Sequence, residues 1–288
     1  MKPEALETAM TDDASRNKGF ATTAPAWHST RRLRDVDDTL SESLRDDWES
    51  LAVATTSPEV FDLAMLTGLP EPVRRWLTHA IASGTPLRRV AILRQHGQIK
   101  IGRWQRYDAD WILAPPHGFI WAATTRLGPL SIRGFDRYTN GAGEMRWRLF
   151  GRIPFIKTLG PDVTRSATGR LAGEFCFVPA TALTPGVRWK EIDDHRAVAG
   201  IDIGGRVNRV TIIVNDTGSL DRVDVPRWGQ PDGRTFGEHI FTALLDGPEA
   251  TFDGFTIAAT ARAGWWHCPD HCATSEFIRF TIDHASYR

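Results

Sequence analysis

From residue 87 onward the chain alternates apolar and polar residues with a period of two. Val90, Ile92, Ile99 and Ile101 alternate around a turn expected at His96-Gly97, and Trp104, Trp111 and Leu113 continue the pattern. A period of two places successive side chains on opposite faces of an extended strand. Further runs of this kind cover residues 119–121, 130–138, 144–150, 195–203, 206–214, 220–225, 234–244, 252–261 and 275–284. Turn-forming clusters separate them, among them Pro115-Pro116-His117-Gly118, Gly128-Pro129, Asn140-Gly141-Ala142-Gly143, Gly204-Gly205 and Asn215-Asp216-Thr217-Gly218. The pattern predicts a meander of antiparallel hairpins. A sheet with this many strands has to curl or split into layers.

Four segments follow a different rule. Leu40, Leu44, Trp48 and Leu51 fall at helical spacing and predict a short amphipathic helix near 39–52. Ser57-Pro58-Glu59 reads as a helix start, with Phe61, Met65 and Leu66 on one face and Gly68 as its stop. Pro70-Glu71-Pro72 opens another helix, whose face is Val73, Trp76, Leu77, Ala80 and Ile81. Between the two runs of strands, Val163, Ala167, Leu171, Phe175 and Val178 step by about four, predicting an inserted helix over 162–178. Gly169 and Gly173 weaken it as a helix, but their small size suits close packing on a sheet. The expected fold is α+β: a large curved antiparallel β-sheet, half-barrel-like, with N-terminal helices and one inserted helix on the concave side. Residues 1–50 are expected to be a disordered or partly helical tail, and 51–288 a single domain. The tail is polar and charged and buries too little apolar surface to offset its ordering entropy.

Composition excludes several function classes. With 35 basic and 35 acidic residues the chain has no net charge to draw it to nucleic acid. No apolar run is long enough for a membrane-spanning helix, and the first residues lack the apolar core of a signal peptide. Three cysteines do not make a disulfide framework. The expected location is cytoplasmic. No phosphate-binding loop or dinucleotide fingerprint occurs, so no cofactor is expected. Eleven Trp stand beside three Tyr. They are large core residues, or several of them line a cavity for an apolar or planar ligand.

Four places could carry chemistry. Arg170 and Glu174 share a helix face four residues apart, either as a surface ion pair or with Glu174 turned into the cavity as an acid or base. Asp136 and Tyr138 share one face of a strand, which is a site if that face is concave. Asp193-Asp194-His195 reads as a turn more readily than as part of a hydrolase, because no nucleophile elbow accompanies it. His267-Cys268-Pro269-Asp270-His271-Cys272 packs its ligand types too tightly for one tetrahedral ion, so no metal is expected there. Trp265 or Trp266, just before that loop, should point into the interior.

Several segments occurring in order carry a resemblance. They are Leu69-Pro70-Glu71-Pro72-Val73-Arg74-Arg75-Trp76-Leu77, then Gly118-Phe119-Ile120-Trp121, then Asp136-Arg137-Tyr138 with Gly141 and Gly143. Leu171-Ala172-Gly173-Glu174, Pro179-Ala180-Thr181-Ala182-Leu183 and Trp189-Lys190-Glu191-Ile192-Asp193-Asp194 follow. Over roughly 65–285 the chain resembles an uncharacterised bacterial family, a domain of unknown function common in actinobacteria. Its sheet pattern is similar to the half-barrel of bacterial lipoprotein carriers and related lipid-binding folds. The family has no activity to transfer, and the chain is expected to depart from the carriers in having no signal peptide.

Two functions are consistent with these residues. The first is binding of a hydrophobic small molecule or lipid-like ligand in a Trp-lined cavity, against Trp121, Phe177, Trp189 and Trp265, with Arg170 or Glu174 orienting its polar end. The alternative is a cofactor-independent isomerase or cyclase acting on an apolar, polyketide- or terpenoid-like substrate. Glu174 and Asp136 would be its acid/base groups and Tyr138 its hydrogen-bond donor. Ligand identity and oligomeric state are left open.

Overall fold

The computed structural model describes residues 42–231, 235–265 and 276–288. The His267–Cys272 segment and Trp266 lie outside the described residues. So do residues 1–41.

Among the described residues, most of the period-two runs join one thirteen-stranded antiparallel sheet curled into a half-barrel. Its first half is β1 (Ala91–Ile101), β2 (Arg103–Ala114), β3 (Gly118–Leu127), β4 (Leu130–Thr139), β5 (Ala142–Leu149) and β6 (Ile153–Leu159). Its second half is β7 (Val187–Asp193), β8 (Arg196–Ile203), β9 (Arg206–Val214), β10 (Leu220–Gly229), β11 (Gly237–Leu244), β14 (Thr260–Trp265) and β15 (Glu276–Tyr287). The strand order is β6-β5-β4-β3-β2-β1-β15-β14-β11-β10-β9-β8-β7. β12 (Glu249–Phe252) and β13 (Phe255–Ala258) make a separate hairpin.

Among the described residues three α-helices dress the sheet: α1 (Glu42–Leu51), α2 (Glu71–Ala80) and α3 (Pro161–Gly173). α1 lies on the outer face, where Leu44, Trp48 and Leu51 cover Ile112, Ile120, Ala122 and Phe135. This explains why Phe119-Ile120-Trp121-Ala122-Ala123 is buried without interruption. Phe119, Trp121 and Ala123 face the main core, while Ile120 and Ala122 face α1. Asp47 of α1 pairs with Arg137 and accepts from Thr139 and Asn140, tying the helix to β4 and its turn. The folded body therefore begins inside the segment read as tail.

α3 sits on the concave face against β5, β9 and β10. Its glycines set the depth. A Cβ on Gly173 would stand 2.8 Å from Cγ2 of Val225, and one on Gly169 3.2 Å from Cγ of Arg227. Gly173→Val is expected to cost about 1–3 kcal/mol through overpacking, although valine is the better helix former. Urea unfolding checks this; an unchanged midpoint would mean that the helix does not bear on Val225.

Four local expectations are corrected. The helix expected from Ser57 is a single 3-10 turn, Leu63–Leu66, capped by Asp62, whose Oδ1 accepts from the Ala64 N–H at 2.8 Å. Backbone pairing of the preceding segment with Thr85 and Leu87 takes the groups a longer helix would use. The inserted helix keeps α geometry only to Gly173 and continues as 3-10 turns, Glu174–Phe177 and Pro179–Leu183. β1 runs straight through His96-Gly97 and turns instead at Gly102, where φ is 69°. The run at 252–261 is broken by an Asp253-Gly254 turn with both φ angles positive, so β12 and β13 leave the main sheet.

Candidate functional site

α3 and β4 bring Arg170, Glu174 and Asp136 together on the concave face. Arg170 Nε donates to Glu174 Oε1 at 2.7 Å, and Nη1 donates to Asp136 Oδ2 at 3.0 Å. The second Asp136 oxygen accepts from the Trp147 indole N–H at 3.1 Å. The guanidinium lies over the rings of Phe119 and Trp121, at 4.7 and 5.3 Å from their centroids. Trp121 in turn packs on Tyr107 and Trp147. Burial raises the pKa of Asp136 and of Glu174, against the opposing pull of Arg170. Burial works against the Arg170 charge, but Glu174 and Asp136 more than offset it and its pKa is raised.

A fourth ion completes the group. Arg227 on β10 extends toward α3, its Nε donating to the Ser166 carbonyl oxygen at 3.2 Å. It lies over Phe241 and Trp265, at 5.0 and 5.4 Å. Burial, followed by the nearby charge of Arg170, lowers its pKa to about 10. The strand expected over 220–225 stops short of it. The alternation Val223, Val225, Arg227, Gly229 in fact runs through the proline, which occupies an outward position. Gly229 leaves room for the Trp265 indole, which a Cβ there would strike.

The charged groups are enclosed by protein but not sealed. Side-chain exposure is 15% for Arg170, 18% for Glu174 and 19% for Asp136. Glu174 Oε2 has no hydrogen-bond partner, and neither does the buried indole N–H of Trp111. Beside Arg227 the concave face carries Phe241, Trp265, Ile278, Phe280 and Ile99, all only half-buried. The arrangement is an apolar wall with a compact, polarised set of charges at one side.

The other sequence candidates lie elsewhere. Phe177 packs on Trp111 and Phe280, at 5.3 and 6.0 Å between centroids, on the same interior. Trp189 packs on Trp76 and Phe175, and its N–H donates to the Ala182 carbonyl, which makes it part of the packing beneath α2. Tyr138 shares the inward face of β4 with Asp136, but no hydrogen bond joins it to either carboxylate. Its hydroxyl abuts Gly204, and it lines a separate cleft of about 540 Å³ with Asp47, Leu51, His117 and Asn140. Asp193 caps its own turn by accepting from the N–H groups of His195 and Arg196. Among the described residues no group of three potential metal ligands comes together.

The molecule is thus a curled antiparallel half-barrel with an inserted helix and a charged cluster on its concave side. The chain belongs to the DUF6544 family, a family of unknown function, which it matches over residues 59–274. No curated protein matches it by sequence. Distant structural likenesses exist. One is to a domain described as an outer membrane lipoprotein-sorting protein from Vibrio parahaemolyticus, at 9% identity and a TM-score of 0.38, covering 78% of this chain and 92% of that one. A DUF1329 family protein from Desulfovibrio piger gives 8% and 0.37, covering 69% and 86%. A LolA superfamily protein from Nitrosomonas europaea gives 10% and 0.34, covering 75% and 92%. None of these is near enough to carry a function across.

Proposed function

We propose that this protein binds a hydrophobic small molecule, lipid-like in having an apolar body and a polar end, on the concave face of its sheet. The observation that carries this is the half-buried wall of Phe241, Trp265, Ile278 and Phe280 ending at Arg227 and the Arg170–Glu174–Asp136 cluster. Such a cluster is a poor way to stabilise a fold, since apolar side chains of the same volume serve as well or better. It is well suited to orienting one polar group in apolar surroundings. Arg227 is the natural contact for an acidic head, because its guanidinium has only the Ser166 carbonyl as hydrogen-bond partner among the described residues. Trp121 and Phe177 would back the apolar body.

Native mass spectrometry and Trp fluorescence quenching with long-chain fatty acids and the matching alcohols test this. The acid is expected to bind, and Arg227→Gln to weaken it by about tenfold or more, since hydrogen bonds to charged groups contribute roughly 1.5–3 kcal/mol. The alcohol should be little affected. Absence of any bound species with the wild-type chain would refute the proposal.

A second reading, a cofactor-independent isomerase or cyclase, is favoured by one feature. Glu174 has a raised pKa and a free carboxylate oxygen inside the enclosure. Asp136 is the weaker candidate, since both its oxygens are engaged. A turnover unchanged in Glu174→Gln would end this reading.

A further inference from the structure

The antiparallel order of β1 to β6 places three turns at the same end of the sheet: Ile101-Gly102-Arg103, Leu127-Gly128-Pro129-Leu130 and Phe150-Gly151-Arg152. Each turns on a glycine of positive φ, 69° at Gly102, 58° at Gly128 and 68° at Gly151. Residues 99–106, 126–133 and 148–161 contain Lys100, Arg103, Arg106, Arg126, Arg133, Arg148, Arg152 and Lys157 and no acidic residue. The chain as a whole is neutral. The same end exposes Leu130, Phe150 and Ile153, and edge strand β6, running back from it, exposes Phe155, Ile156 and Leu159 along its length, all 37–57% accessible. The turns at the other end of these strands present Pro116, His117 and Asn140 instead.

We propose that this end of the sheet, with edge strand β6, docks on an anionic lipid surface. Apolar tips ringed by basic side chains match what an anionic bilayer offers, an apolar boundary under a negative surface. Phe150 adds an independent sign. It holds φ at +53°, a conformation unfavourable for a bulky residue, while the residue is 55% exposed. An exposed aromatic at a strained turn position serves neither turn formation nor core packing. Edge-to-edge pairing with another strand is the competing use of β6, and the geometry disfavours it. Pro154 has no N–H to donate, and the register shift between Trp147 and Arg148 leaves Phe155 without a partner, interrupting the edge.

Cosedimentation of the full chain with phosphatidylcholine vesicles, with and without phosphatidylserine, tests the proposal. Binding is expected only with phosphatidylserine and is expected to fall as salt rises. Arg133→Glu with Arg152→Glu should weaken it by roughly 25-fold or more, taking about fivefold per basic side chain. Phe150→Asn should also weaken it while leaving the thermal midpoint unchanged or higher, because asparagine tolerates the positive φ. Arg227→Gln should leave vesicle binding intact, so failure here and failure of the ligand proposal can be told apart. The proposal is overturned if the wild-type chain ignores phosphatidylserine vesicles, if neither variant alters binding, or if the surface is found to self-associate in place of binding lipid.

Discussion

Arg170→Met is expected to lower stability by about 3–5 kcal/mol at pH 7.5, the usual cost of removing one partner from a buried ion group. Methionine replaces much of the volume, so the loss is chiefly electrostatic: Asp136 and Glu174 both lose the cation they hydrogen-bond. The penalty should depend on pH in a set direction. Both carboxyl pKa values are already raised by burial and rise further without Arg170. The folded variant then holds protons that the unfolded chain releases from about pH 4 upward. The deficit is therefore small below the unfolded-state values and grows as pH rises through the folded-state values. Urea unfolding of both proteins at pH 5 and pH 7.5 measures this. A deficit of the same size at both would assign Arg170 a packing role only.

Deleting residues 1–41 should leave the fold intact, and deleting residues 1–51 should cost about 4–6 kcal/mol. The longer deletion removes Leu44, which is fully buried, with Trp48 and Leu51, at roughly 1.5–3 kcal/mol for each fully buried side chain, less for the two that are only partly buried. It bares Ile112, Ile120 and Phe135 on the outer face, and it takes Asp47 from Arg137, Thr139 and Asn140. Thermal unfolding of the two truncations beside the full chain separates them. Equal midpoints would show that α1 contributes nothing to the body.

Much of the architecture was legible because one face of most strands is buried. The alternation in Arg206–Val214 could be read directly, and Asp136 fell on the inward face by the same rule. The spacing of Arg170 and Glu174 was equally plain, and they do pair. Periodicity fails where burial is not one-sided. β6 is exposed on both faces and shows no alternation, so it was not foreseen. Arg227 was hidden by Pro226 and by its own charge, since a cation at an inward position reads as a break in the apolar pattern. Trp189 illustrates the converse limit: composition shows a large aromatic but not which neighbours claim it, and here Trp76 and Phe175 do.

The strand order has a kinetic corollary. β15 is the last strand along the chain, yet it lies between β1 and β14 and joins the two halves of the sheet. Ala91 pairs with Tyr287, nearly two hundred positions further along. During synthesis β1–β6 can form local hairpins, but their union with β7–β11 and β14 must wait until residues 276–287 have left the ribosome. Such long-range closure is slow and leaves strand edges open meanwhile. The interval before β15 inserts is accordingly when the open edges of this chain are most exposed to mispairing.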